Sequence, residues 1–172
     1  MAGLVSLLAQ YGAYHRRRSN LATHFVGIPM IVLAIEVVLS RPVADLAGLP
    51  LTPAMLAALL ATLFYLRLDL AFGLVMGAVL AFGAWAGLET AVLPQPAWLA
   101  LSGGLFATGW LFQFAGHLLE GRRPAFVDDL IGLLAGPLFL VAELAFALGL
   151  RAETRRAVEA ELMRLERGQP AV

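Results

Sequence analysis

Three histidines, His15, His24 and His117, are the only imidazoles in a chain of 172 residues that is 60% hydrophobic, and each stands where a polar segment meets a long apolar one. A structural membrane protein has little use for three imidazoles at such boundaries, whereas a metal centre needs about three ligands of this kind. We read them as one site. Other groups in the same segments have chemistry to offer. His117 and Glu120 are i and i+3 on one helical face, the spacing of Glu-x-x-His ligand pairs in di-iron bundles, so Glu120 is a candidate for direct metal binding and for catalysis. Arg122 and Arg123 follow at once, and guanidinium groups grip an anionic head group with paired hydrogen bonds. Glu36 and Glu143 lie inside apolar stretches, where an ionisable group is a functional candidate by default.

Blander roles compete for the same residues. A single histidine near a membrane interface more often snorkels or caps a helix than binds a metal. Arg16, Arg17 and Arg18 alone would be topology signals and lipid contacts. Glu143 can accept hydrogen bonds from a neighbouring helix. Gly73, Gly77, Gly83 and Gly87 form small-xxx-small pairs that most simply mean close helix packing. Trp85, Trp98 and Trp110 suit a membrane belt or a core.

Composition sets the surroundings of that chemistry. Only 14% of the residues are charged, they cluster in short stretches between apolar runs, and the mean hydropathy is +0.83. This is the composition of an integral membrane protein. The formal net charge of zero therefore matters less than where the charges lie relative to a bilayer. Nothing supports nucleic-acid binding. The chain has no cysteine, which excludes disulfides, thiolate metal sites, iron-sulfur clusters and cysteine nucleophiles. All 12 Lys/Arg positions are Arg, a usage that fits a bacterial protein, and the expected location is the inner membrane. Residues 1–18 do not read as a cleaved signal peptide, because Arg16 to Arg18 follow the apolar stretch instead of preceding it.

The elements that must position the histidines can be read as helices. Leu4, Leu7, Leu8, Tyr11 and Tyr14 recur at helical spacing over residues 3–15, too short a segment to cross the ~30 Å hydrocarbon layer and therefore an interfacial helix. Ser19 or Asn20 can cap a second helix, whose apolar body runs from Phe25 to Leu39. Residues 53–66 and 70–88 are apolar on either side of Arg67-Leu68-Asp69, and a tight helical hairpin suits them better than one helix far beyond the ~20 residues a span needs. Ala97 to Gly116 forms a full span that delivers His117 to its end. The last apolar run, Leu130 to Leu150, contains Gly132, Gly136, Pro137 and Glu143, which suggests a broken or re-entrant helix, a full fifth span being the alternative. The expected fold is an all-α, polytopic membrane helical bundle of about four to five membrane segments with an N-terminal interfacial helix. Residues 1–150 are expected to be a single membrane-embedded catalytic domain and 151–172 a polar amphipathic tail.

Topology supports the one-site reading. The positive-inside rule places Arg16 to Arg18 in the cytoplasm and, four spans later, Arg122 and Arg123 as well, so the three histidines share the cytoplasmic face. His15 and His24 are nine residues apart. On one continuous helix that separation turns through roughly 900 degrees and puts them on opposite faces. They converge only across a bend, which a break over Arg16 to Asn20 supplies and which Asn20 is placed to hold by side-chain hydrogen bonds.

The stretch from Tyr14 to Pro29, with His15, Asn20, His24, Gly27 and Pro29 spaced as H-x4-N-x3-H-x2-G-x-P, resembles the signature of the membrane-bound 2-hydroxy fatty acid dioxygenases of the Mpo-like family. The block Trp110 to Ala125, with Gln113, Phe114, Gly116, His117, Glu120 and Pro124, resembles that family's second pattern, and Gly136-Pro137-Leu138-Phe139 with Glu143 resembles its close. The resemblance runs from Tyr11 to Glu143. It implies an Fe(II)-dependent enzyme that shortens a 2-hydroxy fatty acid by one carbon with O2. Non-haem Fe(II) oxygenases give three facial positions to protein and leave three open. A 2-hydroxy acid can fill two of the open positions through its carboxylate and hydroxyl. Three histidines, or two with Glu120, would complete the protein's share, with Asn20 and Glu143 in support and Arg122 or Arg123 on the carboxylate. A bis-His haem or quinone protein and a non-enzymatic scaffold or transporter are the rival readings, and oligomeric state is not legible.

Overall fold

The computed structural model describes residues 2–121 and 131–168, and among these the chain is helical apart from one small hairpin. Helix α1 (Ala2–Ala13) leads through a short turn into α2 (Arg18–Val38). A two-stranded antiparallel hairpin, β1 (Ala44–Leu46) and β2 (Leu49–Leu51), connects α2 to α3 (Pro53–Leu68), and α4 (Leu70–Thr90), α5 (Gln95–Glu120), α6 (Ile131–Ala147) and α7 (Ala152–Glu166) follow.

Local chemistry explains most of the boundaries. Thr52 caps α3 by accepting from Met55 N at 3.2 Å, with Pro53 in the first helical position. Asp69 has an extended backbone, φ −161°, and its carboxylate accepts from Phe72 N at 3.0 Å, so one residue both ends α3 and caps α4. The two helices fold back on each other, and a Cβ at Gly73 would come within 2.6 Å of the Leu66 backbone. The expected hairpin is therefore present. Helix α5 stops where Gly121 takes the left-handed conformation, φ 74°, and returns its N–H to His117 O at 2.9 Å.

Two expectations are corrected. Helix α2 begins at Arg18, with Arg17 as its N-cap residue and no side-chain cap, so Ser19 and Asn20 lie inside the first turn and the bend is confined to residues 14–17. The β hairpin had no counterpart in the sequence reading. Its turn at Ala47 and Gly48 has positive φ at both residues and is closed by Asp45, whose carboxylate accepts from Gly48 N.

The core joins α1, α3, α4, α6 and α7 through Leu4, Leu8, Tyr65, Met76, Leu138 and Val158. Helix α7 is bent 119° from α6 and packs back along α1, with Arg151 paired to Asp69 at the corner. Outside this core the surface is unusually apolar: Leu56, Leu59, Leu60 and Leu63 on α3 and Leu70, Leu74, Phe82 and Trp85 on α4 are all exposed. Polar groups such as Asn20, His24 and Gln113 are buried. This inverted distribution suggests association with a bilayer. Helices α2 and α4 are each long and apolar enough to span, and α6 with α7 would make a third if the bent pair is one span.

Candidate metal centre

His15 sits in the turn after α1, His24 in the second turn of α2 and His117 in the last turn of α5. All three are buried, and one ring nitrogen from each lies within 4.8 Å of the other two. His15 Nε2 and His24 Nε2 are 3.0 Å apart. Two nitrogens each about 2.1 Å from a shared ion, at right angles, would be separated by about that distance.

The other ring nitrogens explain why an ion fits. His15 Nδ1 lies 2.7 Å from Tyr11 O, a carbonyl at the end of α1, and His24 Nδ1 lies 2.9 Å from Asn20 O. Only an N–H is stable against a carbonyl, so in both rings Nδ1 donates and Nε2 is left with a bare lone pair. Two lone pairs facing each other at 3.0 Å repel unless a cation lies between them. A proton is poorly suited to that task, because burial, reinforced by His117, pushes His15 down to about 4. His117 Nδ1 is also buried, with no hydrogen-bond partner among the described residues. Tyr11 stacks on His15 with ring centroids 4.1 Å apart, which holds the imidazole plane.

The bend that brings His15 to His24 is held from α5. Glu120 accepts from Arg16 N at 3.3 Å, Arg17 N at 2.9 Å and Asn20 Nδ2 at 3.1 Å, while the Arg17 guanidinium donates to Leu119 O at 2.8 Å. Both carboxylate oxygens of Glu120 thus face backbone and side-chain amides, and Glu120 is not a member of the three-histidine group. Asn20, fully buried, joins this clamp by its side chain and orients His24 by its carbonyl. Glu143 is half-buried on α6 and lines a polar cavity with His15, Arg16 and Arg155, apart from the ligand group. Arg122 and Arg123 lie outside the described residues.

Helices α2 and α5 must approach closely for this geometry, and glycines allow it. A Cβ on Gly116 would overlap Thr23 Oγ1 and Asn20 Oδ1 and come within 3.2 Å of His24 Nδ1, while one on Gly27 would lie 2.7 Å from Gly109 O. Beside the histidines opens an apolar cleft between α2, α5 and α6, lined by Ile28, Ile31, Trp110, Gly136 and Pro137, with His24, His117, Tyr11 and Gln113 as polar members. Gln113 and Tyr11 were visible in the sequence at i−4 from His117 and from His15, but spacing alone gave them no role.

The family model for 2-hydroxy-palmitic acid dioxygenase Mpo1-like proteins matches residues 1–148. The chain belongs to this Mpo1-like family. It is 32% identical over 167 residues, 93% of this chain and 91% of the relative, to 2-hydroxy-palmitic acid dioxygenase MPO1 of Saccharomyces cerevisiae. No solved structure matches it. All of the site, from Tyr11 to Glu120, lies within the Mpo1-like match, and α7 lies beyond it.

Proposed function

We propose that this Mpo1-like protein is a membrane dioxygenase that shortens 2-hydroxy fatty acids by one carbon, with Fe(II) held by His15, His24 and His117. The observation that carries the reading is the pair of Nε2 atoms at 3.0 Å, each on a ring whose Nδ1 faces a carbonyl, with a third buried imidazole beside them. Three neutral nitrogen ligands with open positions suit a non-haem iron oxygenase. Iron supplies the electron-transfer chemistry that O2 needs to react with a substrate in which all electrons are paired.

The remaining work falls to the chain. Tyr11 O and Asn20 O hold the tautomers of His15 and His24, and Glu120 holds the turn that carries His15. The cleft walls take the acyl tail out of water, at about 0.8 kcal/mol per buried methylene. Arg122 and Arg123 hold the carboxylate in this proposal, and Glu143 supports His15 from the polar cavity. The bundle spans the bacterial inner membrane in about four to five segments, with the centre facing the cytoplasm. A haem held between His15 and His24 is disfavoured, because their Nε2 atoms lie only 3.0 Å apart.

The test is turnover by the full chain in lipid vesicles given 2-hydroxyhexadecanoic acid, Fe(II) and O2, with pentadecanoic acid measured by mass spectrometry. The wild type should form the odd-chain acid, and His15→Ala, His24→Ala and His117→Ala should each lose both bound iron and product. An iron-loaded wild type that forms none would overturn the proposal.

A further inference from the structure

Gln113 is buried at 5% exposure in the wall of the cleft. It lies one helical turn deeper on α5 than His117, on the same face. Its Nε2 has no hydrogen-bond partner among the described residues. The amide packs against Gly27 on α2, where a Cβ would lie 2.9 Å from Nε2, so a glycine there is what leaves room for it. Most of the neighbouring lining is aliphatic or aromatic. An amide in such a place is costly if unmade bonds stay unmade, since a buried donor loses water and gains nothing. Glu120 and the Asn20 amide nitrogen make their hydrogen bonds to the turn and to each other, and neither pairs with Gln113 Nε2.

We infer that Gln113 is the residue that reads the substituent on C2 of the substrate, pairing its amide with the 2-hydroxyl of an acid whose tail lies in the cleft. The inference rests on the proposed function for the identity of the acid, and adds the group that tells it from a plain fatty acid. A hydroxyl both donates and accepts, as does an amide, so the two are matched partners. A fatty acid without the hydroxyl leaves the amide unpaired, and sites built on a buried polar partner reject such analogues. Gln113 is then a specificity residue, distinct from the histidines that hold the metal.

The experiment is equilibrium binding to the full chain in detergent, iron-loaded and kept free of O2 so that nothing turns over. Affinities are measured for 2-hydroxyhexadecanoic acid and hexadecanoic acid, together with iron content and thermal midpoint. In Gln113→Met, which keeps the shape and removes the amide, the preference for the hydroxy acid should fall about tenfold. Iron content should be unchanged and the midpoint equal or higher, because an unsatisfied polar group has been removed. Gln113→Leu, which also removes the amide, should lose the preference as well. An unchanged preference in both variants would overturn the inference, as would a lowered midpoint with the preference intact, which marks a merely structural glutamine. Because binding is read without turnover, an enzyme that binds with this preference and yet shortens neither acid would defeat the proposed function and leave the role of Gln113 standing.

Discussion

Replacing Gly116 by Ala adds one methyl group at the crossing of α2 and α5. That methyl would overlap Thr23 Oγ1 and Asn20 Oδ1 and press to 3.2 Å from His24 Nδ1. These are not free ends of flexible chains: Thr23 Oγ1 donates to Asn20 O at 2.7 Å, and Asn20 is held by Glu120. Carbon contacts relax only near 3.5 Å, so relief requires the two helices to part by on the order of 1 Å. Metal–ligand bonds tolerate about 0.2 Å, and His24 and His117 ride on the two helices that part. We expect iron affinity to fall by about 100-fold or more and the bundle to lose about 1–3 kcal/mol from overpacking. Gly103 on the same helix is the control, because a Cβ there meets nothing within 4 Å. Gly103→Ala should keep its iron and gain about 0.5–1 kcal/mol, as a helix interior prefers alanine. Iron per chain after anaerobic loading and desalting, with chelator competition and a thermal midpoint, reads both effects. If Gly116→Ala behaves like Gly103→Ala, the spacing of α2 and α5 does not set the site and the argument fails.

Glu120→Gln retains one accepting oxygen and should keep measurable iron, whereas Glu120→Ala, which frees the Arg16 and Arg17 amides and Asn20, should weaken iron binding by about 10 to 100-fold. Complete loss of iron in Glu120→Gln would instead make Glu120 a direct ligand. The iron-free protein should lose stability as pH falls. His15 takes its proton near 6.5 when unfolded and only at about 4 when folded, so the contribution is fully present above about 6.5 and declines through that window at up to about 1.4 kcal/mol per pH unit. Thermal midpoints between pH 7.5 and 4 should show this slope and a shallower one in His15→Gln, and a midpoint that rises on acidification would contradict the burial argument.

The sequence alone determined those features that depend on residues a few positions apart. The apolar runs, the absence of cysteine and the break at Asp69 are local, because helix periodicity, thiol chemistry and an N-cap each act within one or two turns. That the three histidines would come together was legible because they are the only imidazoles in the chain, and the fold does cluster them. The need for a bend between His15 and His24 followed from the angle per residue. Tertiary structure decided how the bend is made. Helix α2 starts at Arg18 because a carboxylate 103 residues away takes the Arg17 amide, and no signal within residues 14–20 contains that partner. The same distance in sequence hid the contacts of Glu120, whose i+3 spacing from His117 suggested a ligand while packing sets its carboxylate against the amides. Gly116 and Gly27 looked like ordinary small residues until the crossing of α2 and α5 showed what a Cβ would strike. The polar tail was legible as amphipathic, but only the structure shows it as helix α7 packed against α1 with Val158 buried. Capping and periodicity are settled by neighbours along the chain, whereas ligand convergence is settled by which helix faces are buried together, and that choice belongs to the whole fold.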